Sequence, residues 1–444
     1  MRIAYIAAGA AGMYCGSCLH DNTLAAALIE AGHEVALLPI YTPLRTDEDD
    51  VSADRVFYGA VNVYLQQKSR FFRRMPAFVE RWLDNRGLLN QVSKLSSSTD
   101  AGELGELTLS VLQGEDGRQA KELQKLVDWL QDYQPDLVQL TNALLLGMAP
   151  AMRQALGVPV ICGLTGEDLF LDYLPESWRQ RVSDELRRRA GDADAYVATS
   201  RYYTEELKER LALPPENTFV VPLGIRLSDV PDATERDPQA PPLIGYLARQ
   251  CPEKGLDLLV EAFLKIAAKN PAPRLEVAGY VGPRDRPFVA GLEQRVADAG
   301  FADRVTFHGE VDRQGKLDLL SRLDIFSVPT VYREPKGLSV LEALAHGVPV
   351  VQPRHGAFPE IIQATGGGVL TDPGSVDDLV HGLERLLDSP NLRHELGRRG
   401  RDLVHRRFHA QAMAEETLAV YRAVLEGAAQ AGEPTRNEEA AQAV

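Results

Sequence analysis

Residues 327–351 read SVPTVYREPKGLSVLEALAHGVPVV. The apolar run at 325–329 has the character of a buried strand end, and 330–337 that of a polar loop carrying Pro335 and Gly337. From Leu338 the apolar residues Leu338, Leu341, Leu344 and Ala345 recur at helical spacing until Gly347 and Pro349 stop them. Another strand is predicted at 350–352. In a parallel sheet, a strand–loop–helix unit puts the helix start at the ligand edge, where unbonded N–H groups and the helix dipole favour phosphate. Two glutamates frame that unit. Glu342, in the first turns of the helix, can accept hydrogen bonds from the vicinal hydroxyls of a ribose. Glu334, on the loop, can reach the hydroxyls of a second sugar beyond the phosphates. The spacing alone says little, because a carboxylate near a helix start is often only dipole stabilisation.

The rest of the chain narrows the function classes. A length of 444 residues implies two or three domains. A content of 45% hydrophobic and 25% charged residues is that of a globular protein, and a net charge of −15 argues against a general nucleic-acid binder. No apolar run approaches the ~20 residues of a spanning helix. The start, MRIAYIAAGAAGMYC, has a short, glycine-broken apolar run followed by an amphipathic helix, so it reads as strand and loop rather than leader. A cytoplasmic location is the expectation. Four cysteines make no disulfide framework in a chain this long. Cys15 and Cys18 form Cys-Gly-Ser-Cys, but no second pair completes a zinc set, and small residues lining a turn are the expected role.

Upstream, 2–8 reads as a strand, 9–16 as a glycine-rich loop, 21–31 as a helix and 34–40 as a second strand, which together make a βαβ unit. Glycines 9, 12 and 16 miss the dinucleotide fingerprint and no acidic residue closes the second strand, so NAD is not expected. Helix–strand units follow at 123–140, 149–163 and 178–199. Asp192-Ala193-Asp194 has the form of a metal-binding D-x-D, but it sits between a helix end and a strand start and reads as a turn. Residues 226–241, polar and proline-containing, read as a linker before a second series that begins at 243–247. A long helix is expected at 410–425 and a frayed tail at 427–444. The stretch 68–82 mixes arginines with aromatics, a pattern compatible with weak contact to an anionic membrane or with a helix packed near a cleft.

On the loop after the second series' first strand, Arg249 and Lys254 offer two cations to a leaving diphosphate, with Lys336 a third candidate. Glu334, Gly337, Leu338, Leu341, Glu342, Ala343, Ala345, Gly347, Pro349, Val350 and Val351 together resemble the Glu-x7-Glu block of family 4 retaining glycosyltransferases. Arg249 and the Pro-Glu-Lys-Gly that ends at Gly255, the Ala-Asp-x-x-Val-Ala-x-Ser segment of Ala193 to Ser200, and Pro222, Gly224 and Ile225 extend the likeness over most of the chain.

The resemblance implies an α/β protein of GT-B fold, with two Rossmann-like domains facing each other across a cleft. The first (1–225) would bind acceptor and be joined by the last helix. The second (242–404) would bind donor. It further implies a retaining, metal-independent hexosyltransferase using a nucleoside-diphosphate sugar and no other cofactor. By that carry-over Arg249, Lys254 and Glu334 serve the reacting centre. Gly12, Gly309, Glu310, Val311, Gly337, Leu338, Ser339 and Glu342 bind donor. Two departures stand out. The first-domain loop that often carries a histidine reads LTGEDLFLD, which leaves Glu167, Asp168 or His20 as acceptor-side candidates. The usual Pro-Asn-Gly is Pro222-Leu223-Gly224. An epimerase on the same fold and a catalytically silent nucleotide-sugar binder are the alternatives.

Overall fold

The computed structural model describes residues 1–9, 16–53, 55–59, 63, 67, 101–232 and 240–432. Gly12, Cys15 and the basic-aromatic stretch 68–82 lie outside the described residues.

Two six-stranded sheets organise the chain, and every pairing between their strands is parallel. The first contains β1 (Arg2–Ala8), β2 (Glu34–Ile40), β3 (Leu137–Leu140), β4 (Val160–Leu164), β5 (Ala195–Ala198) and β6 (Thr218–Val220), in the order β2-β1-β3-β4-β5-β6. The second contains β7 (Leu243–Leu247), β8 (Arg274–Ala278), β9 (Val305–Gly309), β10 (Ile325–Phe326), β11 (Val350–Pro353) and β12 (Gly368–Thr371), in the order β12-β11-β10-β7-β8-β9. Parallel strands need helical crossovers that cover both faces, so these strands are almost continuously apolar; Ile3 to Ala7 and Val160 to Leu164 are fully enclosed. The strand order reverses between β1 and β3 in one sheet and between β7 and β10 in the other. The crevices beyond the carboxyl ends of strands at such reversals are where parallel sheets take ligands.

Three helices shape the region between the sheets: α1 (Gly16–Glu30), α2 (Leu338–Ala345) and α3 (Ala410–Gly432). α1 starts five residues before the predicted 21, so His20 is helical rather than in a loop. β10 is only two residues long, against the predicted 325–329, because the chain leaves the ladder at Ser327 to form the ligand-side loop. α2 buries Val340, Leu341 and Leu344 in the second core, and each such apolar side chain contributes roughly 1.5–3 kcal/mol.

α3 crosses back. Met413, Ala414, Leu418 and Tyr421 pack with Ile3, Tyr5, Leu24 and Leu28 in the core of the first sheet. Gly224 allows this return, since a Cβ there would lie 2.5 Å from the His409 carbonyl oxygen. The helix continues to Gly432, past the 427 at which the sequence reading begins the frayed tail. Among the described residues, no helix is long and apolar enough to cross a membrane.

Candidate active site

A cavity of about 380 Å³ lies between the two sheets. Ser17, Thr165, Gly166 and Asp168 line it from the first domain; Arg249, Lys254, Glu310, Val311, Lys316 and the run from Glu334 to Ser339 line it from the second, with Glu342.

Gly337 caps α2 with φ of 72°, the left-handed region, and a Cβ there would lie 2.5 Å from Ile361 Cδ1. A glycine is therefore required on both backbone and packing grounds. The turn it makes presents the first N–H groups of α2, at Leu338 and Ser339, on the cavity wall. These have no carbonyl one turn earlier to bond.

Glu334 precedes that turn. Its carbonyl accepts from Ala357 N–H at 2.8 Å, and its carboxylate accepts from Lys254 Nζ at 2.7 Å and from the Tyr332 hydroxyl. Burial works to raise its pKa, but Lys254, Tyr332 and Lys336 outweigh that and hold it at about 2. Lys254 also donates to Tyr332 Oη at 2.7 Å, which fixes all three groups. Arg249 has a partly exposed guanidinium, 3.5 Å from Glu253, and it donates from Nε to Cys251 Sγ at 3.1 Å.

Glu342 accepts from Lys316 Nζ at 2.5 Å, and Asp47 of the first domain holds the same ammonium. Behind it, His346 donates from Nδ1 to the Glu342 carbonyl at 2.8 Å, and burial brings its imidazole down to about 4, so the ring is neutral.

The first domain closes against this loop. Lys336 Nζ donates to Ser17 Oγ at 2.7 Å, and the Pro335 carbonyl accepts from Ser200 Oγ at 2.9 Å. Arg45 pairs with Glu310 at 2.5 Å. The acceptor-side candidates separate. Asp168 lines the cavity, its pKa raised by burial against the hydrogen bond from Tyr203. Glu167 turns away: its carboxylate accepts from the N–H groups of Ala143, Thr165 and Gly166 and from Tyr203 Oη. His20 faces a separate small cavity and pairs with Asp21 at 3.1 Å. Gly309 lies at the strand end, where its carbonyl accepts from Gly279 N–H at 2.7 Å, while its neighbours Glu310 and Val311 reach the cavity wall.

Other sequence expectations also find their places. Asp192 pairs with Arg189, and Asp194 accepts from Val160 N–H and pairs with Arg153, so both carboxylates of the D-x-D serve the turn. Cys18 is buried on α1, with its thiol 3.4 Å from the Ala8 carbonyl. Sequence reading missed Lys316, Asp47, Tyr332 and Ser17. Lys316 left a trace: on the helix Arg313–Arg322 it stands in register with the buried Leu319 and Leu320, where a solvated lysine does not belong.

Known proteins resemble this chain along both domains. Residues 232–403 match the family model "Glycosyl transferases group 1", and residues 22–224 match "Glycosyl transferase 4-like domain". The MMP alpha-(1->4)-mannosyltransferase of Mycolicibacterium hassiacum is 28% identical over 54% of this chain and 57% of its own length. A GDP-mannose-dependent monoacylated alpha-(1-6)-phosphatidylinositol monomannoside mannosyltransferase of Corynebacterium glutamicum is 28% identical over 60% of this chain and 71% of its own. The first of these alignments thus spans little more than half of the relative. Among solved structures, sucrose-phosphate synthase from Thermosynechococcus elongatus superposes with a TM-score of 0.70 at 21% identity, over 96% of this chain and 100% of that one. That likeness speaks to the fold. With the two family models together spanning most of the chain, one on each sheet, the chain belongs to the group 1 glycosyl transferases.

Proposed function

We propose that this protein transfers a hexose from a nucleoside-diphosphate sugar to an acceptor hydroxyl, with retention at the anomeric carbon, without a metal and in the cytoplasm. The observation that carries the reading is the convergence on one cavity wall of the α2 start, Lys254 paired with Glu334, and Glu342 on the following turn. Ribose hydroxyls donate to Glu342. The diphosphate meets the Leu338 and Ser339 N–H groups with Arg249 and Lys254, and Glu334 accepts from hydroxyls of the transferred sugar.

As the anomeric bond breaks, negative charge grows on the leaving phosphate. Arg249 and Lys254 stabilise that charge more than they stabilise the ground state, which is how fixed cations raise turnover. The leaving phosphate takes the acceptor's proton on the same face, so the protein's task is positioning. Asp168, at the first-domain wall, is the acceptor-side carboxylate this geometry favours over Glu167 and His20. The family match favours transfer over an epimerase or a silent binder.

A thermal-shift panel of UDP-, GDP-, ADP- and dTDP-linked sugars without added metal tests the donor site. Stabilisation by one nucleotide family, lost in Glu342→Ala, is expected, followed by acceptor-dependent release of the nucleoside diphosphate. A panel with no shift from any donor would sink the reading.

A further inference from the structure

Glu342 is not held by its own domain alone. Lys316, itself almost fully buried, reaches it from the helix Arg313–Arg322, and the same ammonium also meets Asp47, which follows β2 in the first domain. One turn before Lys316, Arg313 makes a two-bonded contact with Asp229 and stands 3.9 Å from Asp47 and 3.8 Å from Glu48. Burial works to lower the Lys316 pKa, but Glu342 and Asp47 outweigh it and raise it above the usual lysine range. A buried ammonium shared by two carboxylates has little freedom, and losing it would strip Glu342 of its bonded cation in a low-dielectric setting.

On the reading that Glu342 binds the ribose, we propose that Lys316 is a positioning residue for this carboxylate, and that Asp47 makes the nucleotide subsite depend on the docked first domain. Lys316 occupies Oε1 of Glu342 and sets its rotamer, which directs the remaining carboxylate oxygen to the vicinal diol. The first domain thereby acts on the donor's ribose without touching it.

The discriminating experiment is calorimetric titration of the full chain with UDP and GDP, each beside its 2′-deoxy counterpart. Wild type is expected to prefer the ribonucleotide by about tenfold, the worth of a hydrogen bond to a charged group. Lys316→Met is expected to bring that preference close to one; a purely structural role would weaken ribo and deoxy ligands equally and leave the ratio intact. Lys316→Gln, uncharged and one bond shorter so that its amide falls short of Oε1, is expected to give the same collapse and stands in if the methionine variant does not fold. Asp47→Asn is expected to lower the preference about threefold, and an unchanged ratio there overturns the cross-domain dependence. Glu342→Ala separates the two levels. If it abolishes the preference while both Lys316 variants keep it, the positioning role fails and the ribose reading stands; if it keeps the preference, both fall.

Discussion

Two buried glutamates at strand-end loops, Glu334 and Glu167, have opposite surroundings. Glu334 is compensated by Lys254 and Tyr332, side chains that share its cavity wall. Glu167 is compensated by three backbone N–H groups and Tyr203, and it stays off that wall. A carboxylate held by N–H groups of its own turn and of the segment after β3 is a strut, because moving it would strip those donors of their partner. A carboxylate held by side chains that the ligand can also reach can exchange one partner for a ligand hydroxyl. The second domain's rim thus carries at Glu334 a carboxylate free to exchange a partner, while Glu167 on the first domain's rim is committed to holding its turn in shape.

The sharpest way to break this contrast is at the cations. Arg249→Ala is expected to lower kcat by about 10²–10³ with donor affinity little changed, since it faces charge that develops in the transition state; steady-state kinetics with the preferred donor checks it. An equal fall in affinity would make Arg249 a ground-state binder.

Acid tests the wall behind Glu342. The His346 pKa is lowered from 6.5 to about 4, so the unfolded chain takes up a proton first as the solution is acidified. Stability from this group is full above pH 6.5, declines as pH falls, and is lost near pH 4, a difference of about 3 kcal/mol. Denaturant titrations from pH 7 to 4 are expected to show this slope, flattened in His346→Asn.

Glu342→Ala is expected to weaken nucleotide binding by roughly 1–3 kcal/mol, read by calorimetry. On the other rim, Glu167→Gln is expected to cost about 2 kcal/mol of folding stability, as an amide cannot serve all of those donors, with donor affinity unchanged. A Glu167→Gln protein of normal stability but poor turnover would erase the contrast and return this residue to the acceptor site.

The local levels of the molecule were legible in sequence because their causes are local. The helical spacing of Leu338, Leu341 and Leu344, the stop at Gly347 and Pro349, and the glycine at 337 fix α2 and its start whatever surrounds them. The same holds for the alternating strands and helices of both sheets and for the likeness carried by Arg249, Lys254, Glu334 and Glu342. The start of α1 is less legible, because its first turn, Gly16 to Leu19, has no apolar period.

What the sequence could not tell is which of several equivalent polar residues face the ligand. His20, Glu167 and Asp168 are indistinguishable as candidates by residue type and spacing. Only the fold turns Asp168 into the cavity, ties Glu167 to backbone donors and sends His20 to Asp21. The bridge from Asp47 through Lys316 to Glu342 joins residues of two domains, and nothing in either local pattern encodes the other's position. Sequence thus determined the elements, through short-range sterics and periodic burial. Tertiary structure alone decided the pairing of charges, because electrostatic partners are selected by distance in space, where low dielectric makes each buried charge depend on its neighbour.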